Sequence, residues 1–418
     1  MRLTKQSELL LSYFIKNKCV EFITQNKKTD KIFLILYNEI KEANKYIESL
    51  KKRDDLFYRL QITEIHSSKQ IAKPKTFPAD WFPNQIRKHI DESIFTQLCY
   101  SFKLFGRKIQ IYFLLEDIVD SNIDEYNKYV DNILIWLFIL NEYASKNCAD
   151  ELTIYLYFTS LNKNIPSSNI HVLDHHNVNT AFTTTCPKKS EIVIYRKEEW
   201  FKVFLHETFH TFGLDFSDMN NEDCKNKILS IFPVNSEVNL YESYSEFWAK
   251  IMNCLFCSYH HLENKNNTED FLNNCEFFIN FERIFSYFQM IKVLDFMNLN
   301  YSQLYKKGPQ NHIVRNTMYK EKTNVLSYYI VTLILLNDYP CFLEWCNKNN
   351  TSLLQFKKTI SSQISFCNFI EDNYKNNLFI KNVKCMEKLL SHTQKKDNKE
   401  ISYLLKNLRM SICEMESF

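Results

Sequence analysis

Trp200-Phe201-Lys202-Val203-Phe204-Leu205-His206-Glu207-Thr208-Phe209-His210-Thr211-Phe212-Gly213 is an apolar segment with an H-E-x-x-H pattern at its centre. Its hydrophobic spacing predicts a helix over 198–212, with Gly213 just past the end where a left-handed cap favours glycine. Histidines four apart project from one face of a helix, one turn apart, so both imidazoles can reach a single Zn²⁺. Glu207 follows the first histidine and comes beside the open position of such a metal, where a carboxylate can take a proton from water. Val203, Phe204, Leu205 and Phe209 make the helix a buried one. A buried helix that carries His, Glu and His needs partners for those groups, and one metal ion serves both imidazoles.

Two histidines do not complete a hydrolytic zinc site, which takes three protein ligands and keeps a fourth position open. Downstream lies Asn239-Leu240-Tyr241-Glu242-Ser243-Tyr244-Ser245-Glu246-Phe247-Trp248-Ala249. Glu242 and Glu246 stand four apart at a helix start, on one face. Like charges at that spacing slightly destabilise a helix and need a reason to exist. The natural division gives Glu242 to the metal, while Glu246 accepts the other ring N–H of a ligating histidine and fixes its tautomer.

Upstream, strand and helix signals alternate. Residues 107–115 and 151–160 are β-rich, and 124–145 is an apolar helix between them. Two short extended segments, 180–185 and 191–195, precede the motif helix. Around this core, residues 1–72 read as a mainly helical N-terminal region, with helical spacing in 9–23 and 32–47. Residues 73–100 hold Pro74, Pro78 and Pro83 and read as a linker followed by a helix. The core spans 101–263, with a polar, irregular stretch at 217–227. Residues 264–418 read as a helical C-terminal domain, with helices at 271–297, 324–337 and 353–370 and an amphipathic tail from Ile401. The expected fold class is α+β.

His206-Glu207-x-x-His210 followed by Glu242-x-x-Ser245-Glu246 resembles the zincin metallopeptidases, in particular their gluzincin branch. The resemblance covers about residues 105–260 and implies a mixed sheet plus active-site helix, with mainly helical flanks. It implies a zinc cofactor held by His206, His210 and Glu242, Glu207 as general base, Glu246 behind a ligand, and a peptide or protein substrate. Asn179-Thr180-Ala181-Phe182-Thr183 would fall at the edge strand that pairs with substrate backbone in that family. Gluzincins also supply a Tyr or His to the developing oxyanion, and His312, Arg315, Tyr328 and Tyr329 are the candidates here. One departure points toward the metzincin branch: Gly213 stands where those enzymes have a glycine, but Phe216 occupies the place of their third histidine. Asp215, one residue short of it, is therefore an alternative metal ligand, and Asp218 another acid that could stand behind one. The chain is also similar to zincin-like proteins of large DNA viruses. The competing reading is a catalytically silent zincin-fold structural or interaction protein that uses its helical flanks. The intact Glu207 argues against it, because an inactivated descendant has no need of the base.

Composition sets the outer limits. The chain of 418 residues has three glycines, at 106, 213 and 308. Phosphate-cradling loops need clustered glycines, so the commoner nucleotide-binding motifs are excluded. Lys far exceeds Arg and Asn is abundant, the mark of AT-rich coding. The net charge of +3 is spread along the chain, which does not suit a dedicated nucleic-acid binder. The 13 cysteines are scattered without an evident disulfide framework, which favours a reducing, cytoplasmic setting. Cys254 and Cys257, lacking a second Cys-x-x-Cys, read as buried free thiols. The apolar run at 9–14 reads as helix rather than signal peptide, and the runs at 133–140 and 328–336 are too short to span a bilayer.

Overall fold

A computed structural model describes residues 2–53, 57–77, 81–117, 123–396 and 398–416. Its centre is a mixed six-stranded sheet in an α+β fold whose C-terminal half is mostly helical. In chain order the strands are β1 (Arg59–Glu64), β2 (Thr96–Leu104), β3 (Arg107–Leu115), β4 (Glu151–Phe158), β5 (Ala181–Phe182) and β6 (Lys189–Ile194). Their spatial order is β1-β2-β3-β4-β6-β5. The first three pair antiparallel, β3, β4 and β6 run parallel, and the short β5 lies antiparallel at the edge. The β2–β3 hairpin turns at Gly106, with φ of +83°.

Side chains alternate across the sheet as period-two strands require. On β4, Leu152, Ile154, Leu156 and Phe158 enter the main core, while Tyr155 and Tyr157 face the opposite side. That opposite side is covered by Phe82, Ile86 and Ile90, from helix Asn84–Ser93 and its approach. The main side receives helix Ile123–Tyr143, which connects β3 to β4, and the motif helix Trp200–Thr211, which follows β6. Trp136 fastens these two helices, its indole N–H donating to Thr208 Oγ1 at 2.8 Å. Each fully buried Leu, Ile or Phe here contributes about 1.5–3 kcal/mol, so the motif helix is held by packing rather than by its own propensity.

Several expectations are revised. β1 lies within the region read as mainly helical. The prolines at 73–83 do not open a free linker: the backbone N–H groups of Lys75 and Thr76 donate to Glu191 on β6, and Tyr157 Oη donates to the Ala72 carbonyl. Pro78 lies outside the described residues. The stretch 217–227, read as irregular, enters helix Glu222–Ile231. The helix expected from 353 begins at Ile360, capped by Thr359, because Phe356 N–H bonds to the Leu214 carbonyl at 2.8 Å and draws the preceding segment across the core. The tail helix covers Lys399–Lys406 alone. Beyond it the chain runs inward, and its end, Met415–Glu416, pairs with Arg2–Leu3.

The cysteines also depart from expectation, because two disulfides form, Cys19–Cys385 and Cys148–Cys186. The partners lie 366 and 38 residues apart, separations at which spacing carries no pairing information. Among the described residues no single helix is long and apolar enough to cross a membrane.

Candidate metal centre

The motif helix ends in a turn that depends on Gly213. Its φ is +64°, and Leu214 N–H closes back on the Phe209 carbonyl at 2.8 Å, in the manner of a Schellman cap. A Cβ on Gly213 would meet Cys186 Cβ at 3.3 Å, so both conformation and space require glycine. This tight reversal returns the chain toward His210 and delivers Asp215 to it.

Histidine Nε2 atoms of His206 and His210 stand 3.2 Å apart. Glu242 Oε2, from helix Leu240–His260, lies 3.0 Å from the first and 3.5 Å from the second. The structure thus brings three ligand atoms to one point. Each imidazole is held from behind by another carboxylate: Glu246 lies 3.0 Å from His206 Nδ1, and Asp215 hydrogen-bonds His210 Nδ1. Glu246 is in turn gripped by Lys202, whose Nζ donates to both carboxylate oxygens at 2.8 and 3.0 Å. Asp215 accepts from Ser217 N–H and Oγ at 2.9 and 2.6 Å and from Ser245 Oγ at 3.2 Å.

Asp215 therefore stands behind His210 rather than among the converging Nε2 and carboxylate atoms, and the alternative ligand role does not fit its position. Asp218 lies away from the imidazoles in a surface ion pair with Lys358 at 2.7 Å. Of the four oxyanion candidates, Tyr328 alone reaches the centre, its Oη donating to Glu242 Oε2 at 3.0 Å. It sits on a π-helical turn, Leu326–Val331, a geometry often found at functional sites. Tyr329 on the same turn points elsewhere, to the Leu408 carbonyl, and Arg315 binds the Gln303 and Lys306 carbonyls. His312 is exposed on helix Pro309–Met318 beside Asn316. Lys202 and Ser245, which hold Glu246 and Asp215, received no role in the sequence reading. Lys202 was within reach of it, since it precedes His206 by one helical turn on the same face.

Electrostatics set the protonation states. Burial works against charge on both imidazoles, but Glu242 and Glu246 raise His206, and Asp215 and Glu242 hold His210 well above its ordinary value. Burial likewise opposes ionised Glu242 and Glu246, yet His210 and His206 hold Glu242, and Lys202 and His206 hold Glu246, well below the carboxylate range. Glu207 behaves oppositely, because burial pushes it up. Glu207, Asp215, Glu242 and Glu246 are four buried or half-buried acids gathered around the two imidazoles, and Lys202 bonds directly to Glu246 among them. Neutral imidazoles would leave a large unbalanced negative charge, which a divalent cation offsets.

Glu207, His206, Tyr328, Thr180 and Ala181 line a narrow pocket of about 40 Å³. It borders a wider one of about 270 Å³ with Trp81, Phe182 and Tyr195, both sharing Asn179 and Ala181. Edge strand β5 forms the rim between them. Tyr195 N–H donates to the Thr180 carbonyl at 2.9 Å. Antiparallel alternation then turns the N–H and C=O of Ala181 away from β6, toward the open edge.

Comparison with protein-family models, with curated proteins and with solved structures gave no match to this chain.

Proposed function

We propose that this chain is a zinc-dependent metallopeptidase of gluzincin type, hydrolysing peptide bonds in a peptide or protein substrate. The observation that carries the reading is the convergence of His206 Nε2, His210 Nε2 and Glu242 Oε2 within 3.5 Å of one another. The donor set fits the group. Both Nδ1 atoms are engaged by carboxylates, which directs the Nε2 lone pairs to the shared point, and two imidazoles with one carboxylate is a known catalytic zinc set. Zinc bound there would acidify a water toward neutral pKa and polarise a carbonyl.

The chain's own residues supply the rest. Ala181 offers outward backbone N–H and C=O groups, so a substrate strand can extend the sheet at β5. The pocket beside it, walled by Trp81, Phe182 and Tyr195, accepts an apolar side chain of that strand. Glu207 takes the proton of the attacking water and delivers it to the leaving amine, and its upward shift suits both halves of that task. Tyr328 Oη is a hydrogen-bond donor beside the ligand carboxylate, where it can turn to the developing oxyanion. Burial holds the Tyr328 phenol well above its ordinary value, so it keeps its proton throughout.

The test joins metal analysis to a peptide-library assay on the purified full chain. Zinc at the histidine site with library cleavage, and zinc retained but cleavage abolished in Glu207→Gln, is the expected result. A folded chain that binds zinc through these histidines and cleaves nothing would favour the silent interaction protein. A folded chain whose His206→Ala variant binds as much zinc as the parent would overturn the site itself.

A further inference from the structure

A second set of metal-ligating side chains lies at the other end of helix Leu240–His260. Cys254 and Cys257 are three apart on it and share a face. Cys413, from the segment that runs inward beyond Lys406, comes against Cys254. Glu282, from helix Thr268–Phe296, completes the group. Ligand atoms of Cys254, Cys413 and Glu282 lie within 4.8 Å of one another. All four residues are buried, none more than 1% exposed.

We propose that Cys254, Cys413 and Glu282 bind a structural zinc ion, separate from the histidine site, with Cys257 one helical turn from Cys254 as the fourth donor, which locks the C-terminal segment to two core helices. Tetrahedral zinc with Zn–S bonds of about 2.3 Å sets its ligands roughly 3.8 Å apart, compatible with this cluster. Cys-x-x-Cys on one element with further donors from distant elements is the arrangement of closed structural sites, and a thiolate-rich set selects zinc among common divalent ions. The donors are also pre-oriented. Glu282 accepts from Lys250 Nζ at 2.8 Å and from Ser411 Oγ and Ile412 N–H at 2.8 and 3.0 Å. Asn253 holds the Cys413 carbonyl at 2.7 Å. Such surrounding bonds fix ligand geometry, and the Lys250 ammonium offsets part of the negative charge that thiolates and carboxylate would bring. The alternative, a disulfide, is not formed here. All three cysteines are free thiols, whereas Cys19–Cys385 and Cys148–Cys186 are closed.

The site answers to metal analysis of the full chain, with no dependence on peptidase activity. The wild type is expected to bind two zinc ions and His206→Ala one. Loading with Co²⁺ should give a near-ultraviolet thiolate-to-cobalt charge-transfer band that survives in His206→Ala, since the histidine site has no sulfur. Cys413→Ser, or Cys254→Ser where the former fails to fold, should lose the band and one zinc while keeping the histidine-bound ion. A folded wild type that takes up Zn²⁺ or Co²⁺ without sulfur ligation would overturn the proposal. So would non-reducing peptide mapping that finds Cys413 disulfide-bonded to Cys254 or Cys257. Neither result would touch the histidine site, whose own failure shows separately as an unchanged zinc content in His206→Ala.

Discussion

The carboxylate of Asp215 hydrogen-bonds Nδ1 of His210, on the ring edge opposite the Nε2 that faces Glu242 at 3.5 Å. His206 repeats the arrangement with Glu246 behind and Glu242 in front, each at 3.0 Å. Each imidazole therefore has one acid per nitrogen, and the rear acid decides which nitrogen is free to bind a metal.

Asp215→Asn tests this division. The variant keeps the size of the side chain but loses the charge behind His210. Zinc affinity should fall about 10–100-fold with stoichiometry at the histidine site unchanged. Competition with a chromogenic chelator measures both quantities. Loss of one whole ion with the fold intact would instead make Asp215 a ligand.

Tyr328→Phe removes the hydroxyl that donates to Glu242. If that hydroxyl serves the oxyanion, kcat should drop about 10²–10³-fold, as for loss of one oxyanion donor, with KM and bound zinc little changed. Tyr329→Phe, which loses a bond to the Leu408 carbonyl instead, should cost about 1 kcal/mol of stability and leave kcat alone. Steady-state kinetics beside urea denaturation separates the two. Equal kcat in Tyr328→Phe and wild type would remove Tyr328 from the chemistry.

Gly213→Ala places a side chain at φ +64°, against Cys186 Cβ. The backbone cost alone is about 1–2 kcal/mol. Because this turn delivers Asp215, the variant should also bind zinc more weakly, in proportion to the misplacement. Gly308→Ala, at φ +125° but with open space around it, is the control: it should lose stability and no metal affinity. Thermal melts with and without zinc read out the difference.

Glu39 provides the pH test. Tyr143 Oη donates to its Oε1 at 2.5 Å, but Oε2 is buried without a partner, and burial pushes the carboxyl up to about 7. The folded state thus holds the proton more tightly than the unfolded chain. The stabilisation is fully present below the ordinary value of 4.5 and is lost as pH rises through about 7. Glu39→Gln keeps an acceptor for Tyr143 and removes the charge. It should be more stable than wild type at pH 8, by at most about 3 kcal/mol, and no more stable below pH ~4. Urea denaturation at both pH values checks the sign, and an equal difference at both would refute the assignment.

Much of the candidate site could be read from local spacing. His206, Glu207 and His210 share their geometry through one helix, as do Glu242 and Glu246, because side chains four apart fall on one face whatever surrounds them. The strand at 107–115 was legible for the same kind of reason, and its bounds match β3. The stretch at 217–227 was misread because its polar residues hide a helix whose apolar positions, Cys224, Ile228 and Ile231, begin only near its end.

By itself, then, the sequence determined which groups share each element: two imidazoles and a carboxylate on one helix, two acids on another, and a glycine where the first must stop. Tertiary structure alone decided which distant groups meet. It brought Tyr328 rather than Tyr329 or His312 to Glu242, set Asp215 behind His210, paired the disulfide cysteines, and carried Cys413 to Cys254 and Glu282. The division has a physical cause. Periodicity constrains neighbours within a few turns, whereas contacts across tens or hundreds of residues come from how buried faces pack, which no local spacing encodes.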